Sequence, residues 1–167
     1  FISGGSCNDI ENIEKNSGEI IRTLLKGTKV IKIVDRDDRS DIEVSELMAK
    51  GIRVLKKRNI ESYLLDDSVI KKLCESVGKV EEYDECIKEK EAAIKASKGR
   101  GNAADDYKSA RGDIYNSLKQ RLQLTRCGNN ADAFIRDTLA PLISPDMDVY
   151  KKLDAEIFGA IEVGGNA

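Results

Sequence analysis

The sequence contains no histidine. That removes the commonest general base near neutral pH and the commonest nitrogen ligand for zinc. Cysteine is scarce: Cys7, Cys74, Cys86 and Cys127 show no close C-x-x-C spacing. A zinc site would need distant ligands to converge without any imidazole, so buried thiols are the expectation, in a reduced, cytoplasmic setting. No apolar run is long enough for a spanning helix and no signal peptide is visible, which argues against a membrane partner. An excess of basic charge is also missing: 28 Lys and Arg stand against 30 Asp and Glu, a net charge of −2. No global field attracts nucleic acid, and any phosphate contact must come from a local cluster or through a metal. An initiator methionine is absent too, since the chain opens on Phe1-Ile2-Ser3-Gly4-Gly5. This reads as a piece of a longer protein.

What is present suits a folded chain: 167 residues, 40% hydrophobic and 35% charged. Phe1-Ile2 reads as the end of a strand, Gly4-Gly5-Ser6 as a turn, and Ser6 with Asp9 as the cap of a helix running to Lys26 and closed by Gly27. The β-branched run Val30-Ile31-Lys32-Ile33-Val34 predicts a strand. Ser40-x-x-Glu43 has the form of a capping box, so a helix is expected over 41–49, ended by Gly51 and followed by a strand at Ile52-Arg53-Val54-Leu55. Strands separated by helices of this length predict parallel βαβ units.

Beyond Arg58 the pattern turns helical. Asn59 is placed to cap a helix beginning at Ile60, and a second short helix is expected over 67–77. In Lys79 to Lys98, 11 of 20 residues are charged, with Val80, Tyr83, Ile87 and Ile94 at helical spacing. After the break at Gly99-Arg100-Gly101-Asn102, Tyr107, Ile114, Leu118 and Leu122 mark a partner helix, so an antiparallel helical hairpin is expected. A last helix is expected from the Ser144-Pro145 cap to Ile161, with a frayed tail. The chain therefore reads as α/β: a parallel sheet with flanking helices over 1–75, then an all-helical extension over 76–167.

Chemistry concentrates at the end of the 30–34 strand. Asp35 and Asp37 follow it directly, where open parallel sheets place their ligand crevices. Two carboxylates at this spacing can share one hard divalent cation such as Mg²⁺, which accepts oxygen ligands and retains waters. The plainer reading makes Asp37, Asp38 and Ser40 turn and cap residues. Glu61 follows the next strand, in the first turn of its helix. Either it complements the helix dipole or it is a third carboxylate on the same sheet edge. Arg36, Arg39, Lys56, Lys57 and Arg58 lie beside these carboxylates as candidate phosphate contacts or as solvated loop charge. Tyr63, Leu64 and Leu65 read as packing residues. Gly4-Gly5-Ser6 lacks the Lys of G-x-x-x-x-G-K-S/T and is a turn rather than a phosphate loop.

Strand, Asp35-Arg36-Asp37-Asp38, helix, strand and Arg58-Asn59-Ile60-Glu61-Ser62-Tyr63-Leu64-Leu65 together resemble the TOPRIM domain of the overcoming-lysogenization-defect (OLD) family of ATP-dependent nucleases. The resemblance extends to TOPRIM-like domains fused behind ABC-type ATPases in phage-defence proteins. It covers about residues 1–75. It implies a Rossmann-like TOPRIM fold and a metal-dependent DNA endonuclease in which Asp35 and Asp37 hold Mg²⁺ or Mn²⁺. Glu61 would serve a second metal or position a water. The family's first strand and its catalytic Glu would lie upstream of Phe1, with the ATPase domain and any ATP site, so the chain alone is expected to be inactive.

Two other readings stand beside this one. The first is a non-catalytic TOPRIM-like assembly module, with the hairpin's apolar stripe covered by a partner such as a second copy. The second is aspartyl-phosphate chemistry on Asp35 in a receiver-like or phosphatase-like domain. The Arg58–Leu65 stretch argues against that second reading.

Overall fold

We use a computed structural model of the chain, which describes residues 31–159. The readings made for Phe1-Ile2, Gly4-Gly5-Ser6, the helix to Lys26, Gly27, Cys7 and the C-terminal tail lie outside the described residues. The chain divides into two compact units. One comprises residues 31–56 with 156–159 of the described part, and the other residues 57–155.

In the first unit, β1 (Lys32–Val34), α1 (Asp41–Ala49) and β2 (Ile52–Val54) form a βαβ unit. The strands are parallel, with Lys32 opposite Ile52, Ile33 opposite Arg53 and Val34 opposite Val54. The Leu55 amide continues the ladder to the Val34 carbonyl at 3.1 Å. Both bonds of the predicted capping box are made. The Glu43 amide donates to Ser40 Oγ, and the Ser40 amide donates to Glu43 Oε2 at 2.8 Å. Val34, Leu47 and Ile52 form the buried core, with Val54 packed against them. Arg53 donates to the carbonyls of Glu156 and Gly159 at 3.3 and 2.6 Å, which ties the chain's later residues to β2.

The second unit is helical. Ahead of α2 (Glu61–Leu64), whose N-cap position is Ile60, Asn59 supplies the capping side chain: its Oδ1 accepts from the Ser62 amide and hydroxyl at 3.1 and 2.8 Å. Asp66 caps α3 (Asp67–Ser76) through the Ser68 amide, and α3 buries Val69, Ile70, Leu73 and Cys74 at amphipathic spacing. A 3₁₀ turn (Val80–Glu82) leads into α4 (Tyr83–Gly99), which packs on α5 (Tyr107–Leu122). Ion pairs show the two helices to be antiparallel. Arg100 at the end of α4 meets Asp113 near the start of α5, whereas Arg121 at the end of α5 meets Glu82 and Glu89.

Of the stripe expected here, Val80 lies on the 3₁₀ turn and is exposed, while Tyr83, Ile87 and Ile94 are half-buried. The fully buried residues of α4 lie beside them: Cys86, Lys90, Ala93 and Ser97. Cys86 meets Cys74 of α3, sulfur to sulfur at 3.9 Å. Lys90 reaches through the interface to the Leu65 carbonyl and the Asp67 carboxylate, with its ammonium over the Tyr107 ring.

After α5 the chain forms α6 (Ala131–Phe134), a π-helical turn (Ile135–Leu139) and a 3₁₀ turn (Ala140–Leu142). Pro141 accounts for the change of pitch. It withdraws the donor that an α-helix would aim at the Asp137 carbonyl, and its ring crowds that carbonyl. The final helix, α7 (Asp148–Phe158), starts later than the Ser144-Pro145 signal predicts, because Ser144–Met147 closes a turn first. Seven helices and one two-stranded parallel sheet among the described residues make the chain mixed α/β and mostly helical. No described helix is long and apolar enough to cross a membrane.

Candidate functional site

Parallel pairing fixes where the candidate carboxylates leave the sheet. β1 ends at Val34, opposite Val54, so Asp35 emerges at the carboxyl edge of the pair, beside Leu55. Asp35 is half-buried and Asp37 exposed. Between them the chain reverses through a turn closed by the Arg39 amide on the Arg36 carbonyl at 3.2 Å. Asp37 takes the left-handed conformation, φ +49°. Few non-glycine residues adopt it, and Asp is among those that do most readily.

Arg39 organises this loop. Its Nη1 donates to the Asp35 carbonyl at 2.8 Å, the Arg36 carbonyl at 3.1 Å and Asp37 Oδ2 at 3.2 Å. Arg36 turns to Asp41 at 2.5 Å. Both arginines therefore already have carboxylate partners next to the proposed metal ligands. Of the remaining basic candidates, Lys56 is exposed, while its amide donates to Glu156 Oε2 at 2.8 Å.

Within the second unit, Lys57 donates to the Ser62 carbonyl at 2.8 Å and to Asp66 at 3.3 Å, and it lies over the Tyr63 ring. Arg58 has 13% of its side chain exposed and pairs with Asp105 at 3.5 Å. These two serve the fold directly. Tyr63 and Leu65 are fully buried, as read from the sequence, and the Tyr63 hydroxyl accepts from the Lys57 amide at 3.0 Å. Burial opposes ionisation of Asp66, but the Ser68 hydroxyl and amide and the Lys57 ammonium outweigh it and hold the carboxyl below its ordinary range.

Glu61 opens α2 in the second unit. It is half-buried, with its Oε2 sealed from solvent. It faces a charged network that has no sequence signature. Arg111 on α5 donates to Asp132 at 2.7 Å, and this bond, then the charges of Asp132, Glu61 and Asp106, hold its guanidinium more firmly protonated against the cost of burial. The network joins three segments far apart in sequence, so no local spacing announces it.

Asp35 and Asp37 thus share one loop of the first unit, and Glu61 belongs to the second. Among the described residues no three His, Cys, Asp or Glu side chains converge on a point that could hold a metal. The donor set of the Asp35–Asp37 loop is nonetheless all carboxylate oxygen. That fits a hard cation such as Mg²⁺ or Mn²⁺, whose shell is completed by water and phosphate.

The chain matches no protein-family model, no curated protein and no solved structure.

Proposed function

We propose that the chain carries part of a TOPRIM-like nuclease centre of the OLD-family kind, which hydrolyses phosphodiesters in DNA within a longer, ATPase-linked protein. The observation that supports this reading is local. A strand of a parallel pair ends by delivering Asp35 and Asp37 on one loop, at the edge where such sheets bind ligands. Asp35 and Asp37 would hold Mg²⁺ or Mn²⁺. The cation, when bound, acidifies a coordinated water and offsets charge on the phosphodiester. Arg39 keeps the loop in shape through the Asp35 and Arg36 carbonyls, and its ion pair with Asp37 would open when a cation binds. By the resemblance, Glu61 would hold a second metal or position a water, and the remaining catalytic Glu would come from upstream of Phe1.

A second reading has a specific observation behind it. Asp37 is already neutralised by Arg39, and Lys57 and Arg58 are spent on internal contacts. A TOPRIM-like module without catalysis, used for assembly, would have these features.

Supercoiled plasmid separates the two readings. The longer protein, with Mg²⁺ or Mn²⁺, is expected to nick it, and Asp35→Ala or Glu61→Ala is expected to lower the rate by at least about a hundredfold while circular dichroism stays unchanged. A folded protein that leaves plasmid intact under every metal and nucleotide would favour the assembly module. Nicking that survives both substitutions would show the site to be wrongly assigned.

A further inference from the structure

Away from the carboxylate loop, the second unit carries a groove of about 550 Å³ between the ends of α3 and α5 and the π-helical segment. That volume is in the range of small-molecule sites. Its apolar wall is made by Leu73, Val77, Leu122 and Leu142. Val77 is 39% exposed, one of few large apolar side chains left open to water. The rim carries two cations, Lys79 and Arg126, and neither joins an ion pair among the described residues. The one acidic lining residue, Asp137, is held by Arg136 in two hydrogen bonds of 2.7 Å, so its charge is already offset.

Two backbone irregularities meet at the same place. Gln123 ends α5 in the left-handed conformation, φ +53°, and it lines the groove. The π-helical turn brings Asp137 and Thr138 to the opposite wall. Strained backbone and π-helical turns both gather at functional sites. Here they coincide with exposed apolar surface and with positive charge that has no ion-pair partner among the described residues, four features from three separate segments.

We propose that this groove is a binding site for a small organic anion with an apolar body, a carboxylate, sulfonate or phosphate ester on an aromatic or aliphatic frame. The apolar part lies against Leu73, Val77, Leu122 and Leu142. The anionic group lies at the rim between Lys79 and Arg126, with the Thr125 and Thr138 hydroxyls as hydrogen-bonding groups of the lining. The site is independent of the nuclease reading, because every residue in it belongs to the second unit.

The probe is 8-anilinonaphthalene-1-sulfonate, which joins a fused aromatic body to one sulfonate. Its binding to the full chain is read by fluorescence and located by amide chemical-shift changes. Saturable one-site binding is expected, with shifts confined to residues 73–79, 122–127 and 137–142. The double variant Lys79→Gln/Arg126→Gln should weaken it by about tenfold, and N-phenyl-1-naphthylamine, the same body without the sulfonate, should bind correspondingly less well. Arg126 is exposed and Lys79 half-buried, and Val77→Asp gives a second test by placing a negative charge in the apolar wall, which should also weaken binding. Shifts elsewhere in the chain, no saturable binding, or equal affinity for the charged and neutral probes would overturn the proposal. So would full affinity in the double variant.

Discussion

Gly128 shows how much a single position can constrain the helical unit. Its φ is +86°, and a Cβ built there would stand 2.7 Å from the Phe134 amide nitrogen and 2.9 Å from Ala133 Cβ. The loop is also held by the Tyr115 hydroxyl, which donates to the Gly128 carbonyl at 3.0 Å, and by Phe134, buried against the Tyr115 ring. Gly128→Ala therefore meets backbone strain and overpacking together. It should cost about 2–4 kcal/mol of unfolding free energy in a urea titration. A second residue-scale expectation concerns the thiols. Cys74 and Cys86 are buried with their sulfurs 3.9 Å apart, and burial, with Cys74 beside it, pushes the Cys86 thiol up to about 12 from its ordinary 9.0. The unfolded chain ionises first, so it holds fewer protons than the native state between those values. Stability from this group is complete below pH 9 and is lost as pH rises toward 12. Urea midpoints measured across that interval should fall, and less steeply in Cys86→Ala. Buried thiols were legible from composition alone, whereas their pairing was not, because nothing local links position 74 to position 86.

Helix ends were the most readable elements. Ser40-x-x-Glu43 and Asn59 announce their caps because the donor and acceptor lie within three residues of each other, and each cap forms as read. Ser40→Ala should lower stability by about 1 kcal/mol, observed as earlier loss of the α1 amide signals in urea. A result within error of the parent would show that the cap is not holding the helix. Faces were harder to read than ends. The apolar stripe through Val80, Tyr83, Ile87 and Ile94 suggested the packed side; Tyr83, Ile87 and Ile94 are half-buried, but the fully buried residues of α4 are Cys86, Lys90, Ala93 and Ser97. Cys86 is buried where it meets Cys74 of α3, and Lys90 enters because Leu65 and Asp67 supply oxygens for its ammonium. Hydrophobicity does not report either condition. The π-helical turn was equally hidden, although Pro141 is a visible reason for it in retrospect.

For the whole molecule, the α/β alternation of the first part and the helical hairpin of the second were both legible, since each follows from periodicity and turn residues. Asp35 and Asp37 follow β1 on the loop that leads to α1. Partnerships across long stretches of chain were not legible: Arg111 with Asp132 and Glu61, Arg58 with Asp105, and the groove beside Arg126. They decide which charges already have a partner, as Arg58 has in Asp105.

The central claim is that the Asp35–Asp37 loop holds a hard divalent cation. Titration of the chain with Mn²⁺, followed by electron paramagnetic resonance of the free ion and competed with Mg²⁺, tests it most directly. The account predicts one saturable site that Mg²⁺ displaces and that Asp35→Asn abolishes. Asp37→Gly should abolish it too while leaving stability unchanged or higher, because glycine relieves the left-handed backbone at φ +49°. Absence of a saturable site, or a site that survives both substitutions, would contradict it.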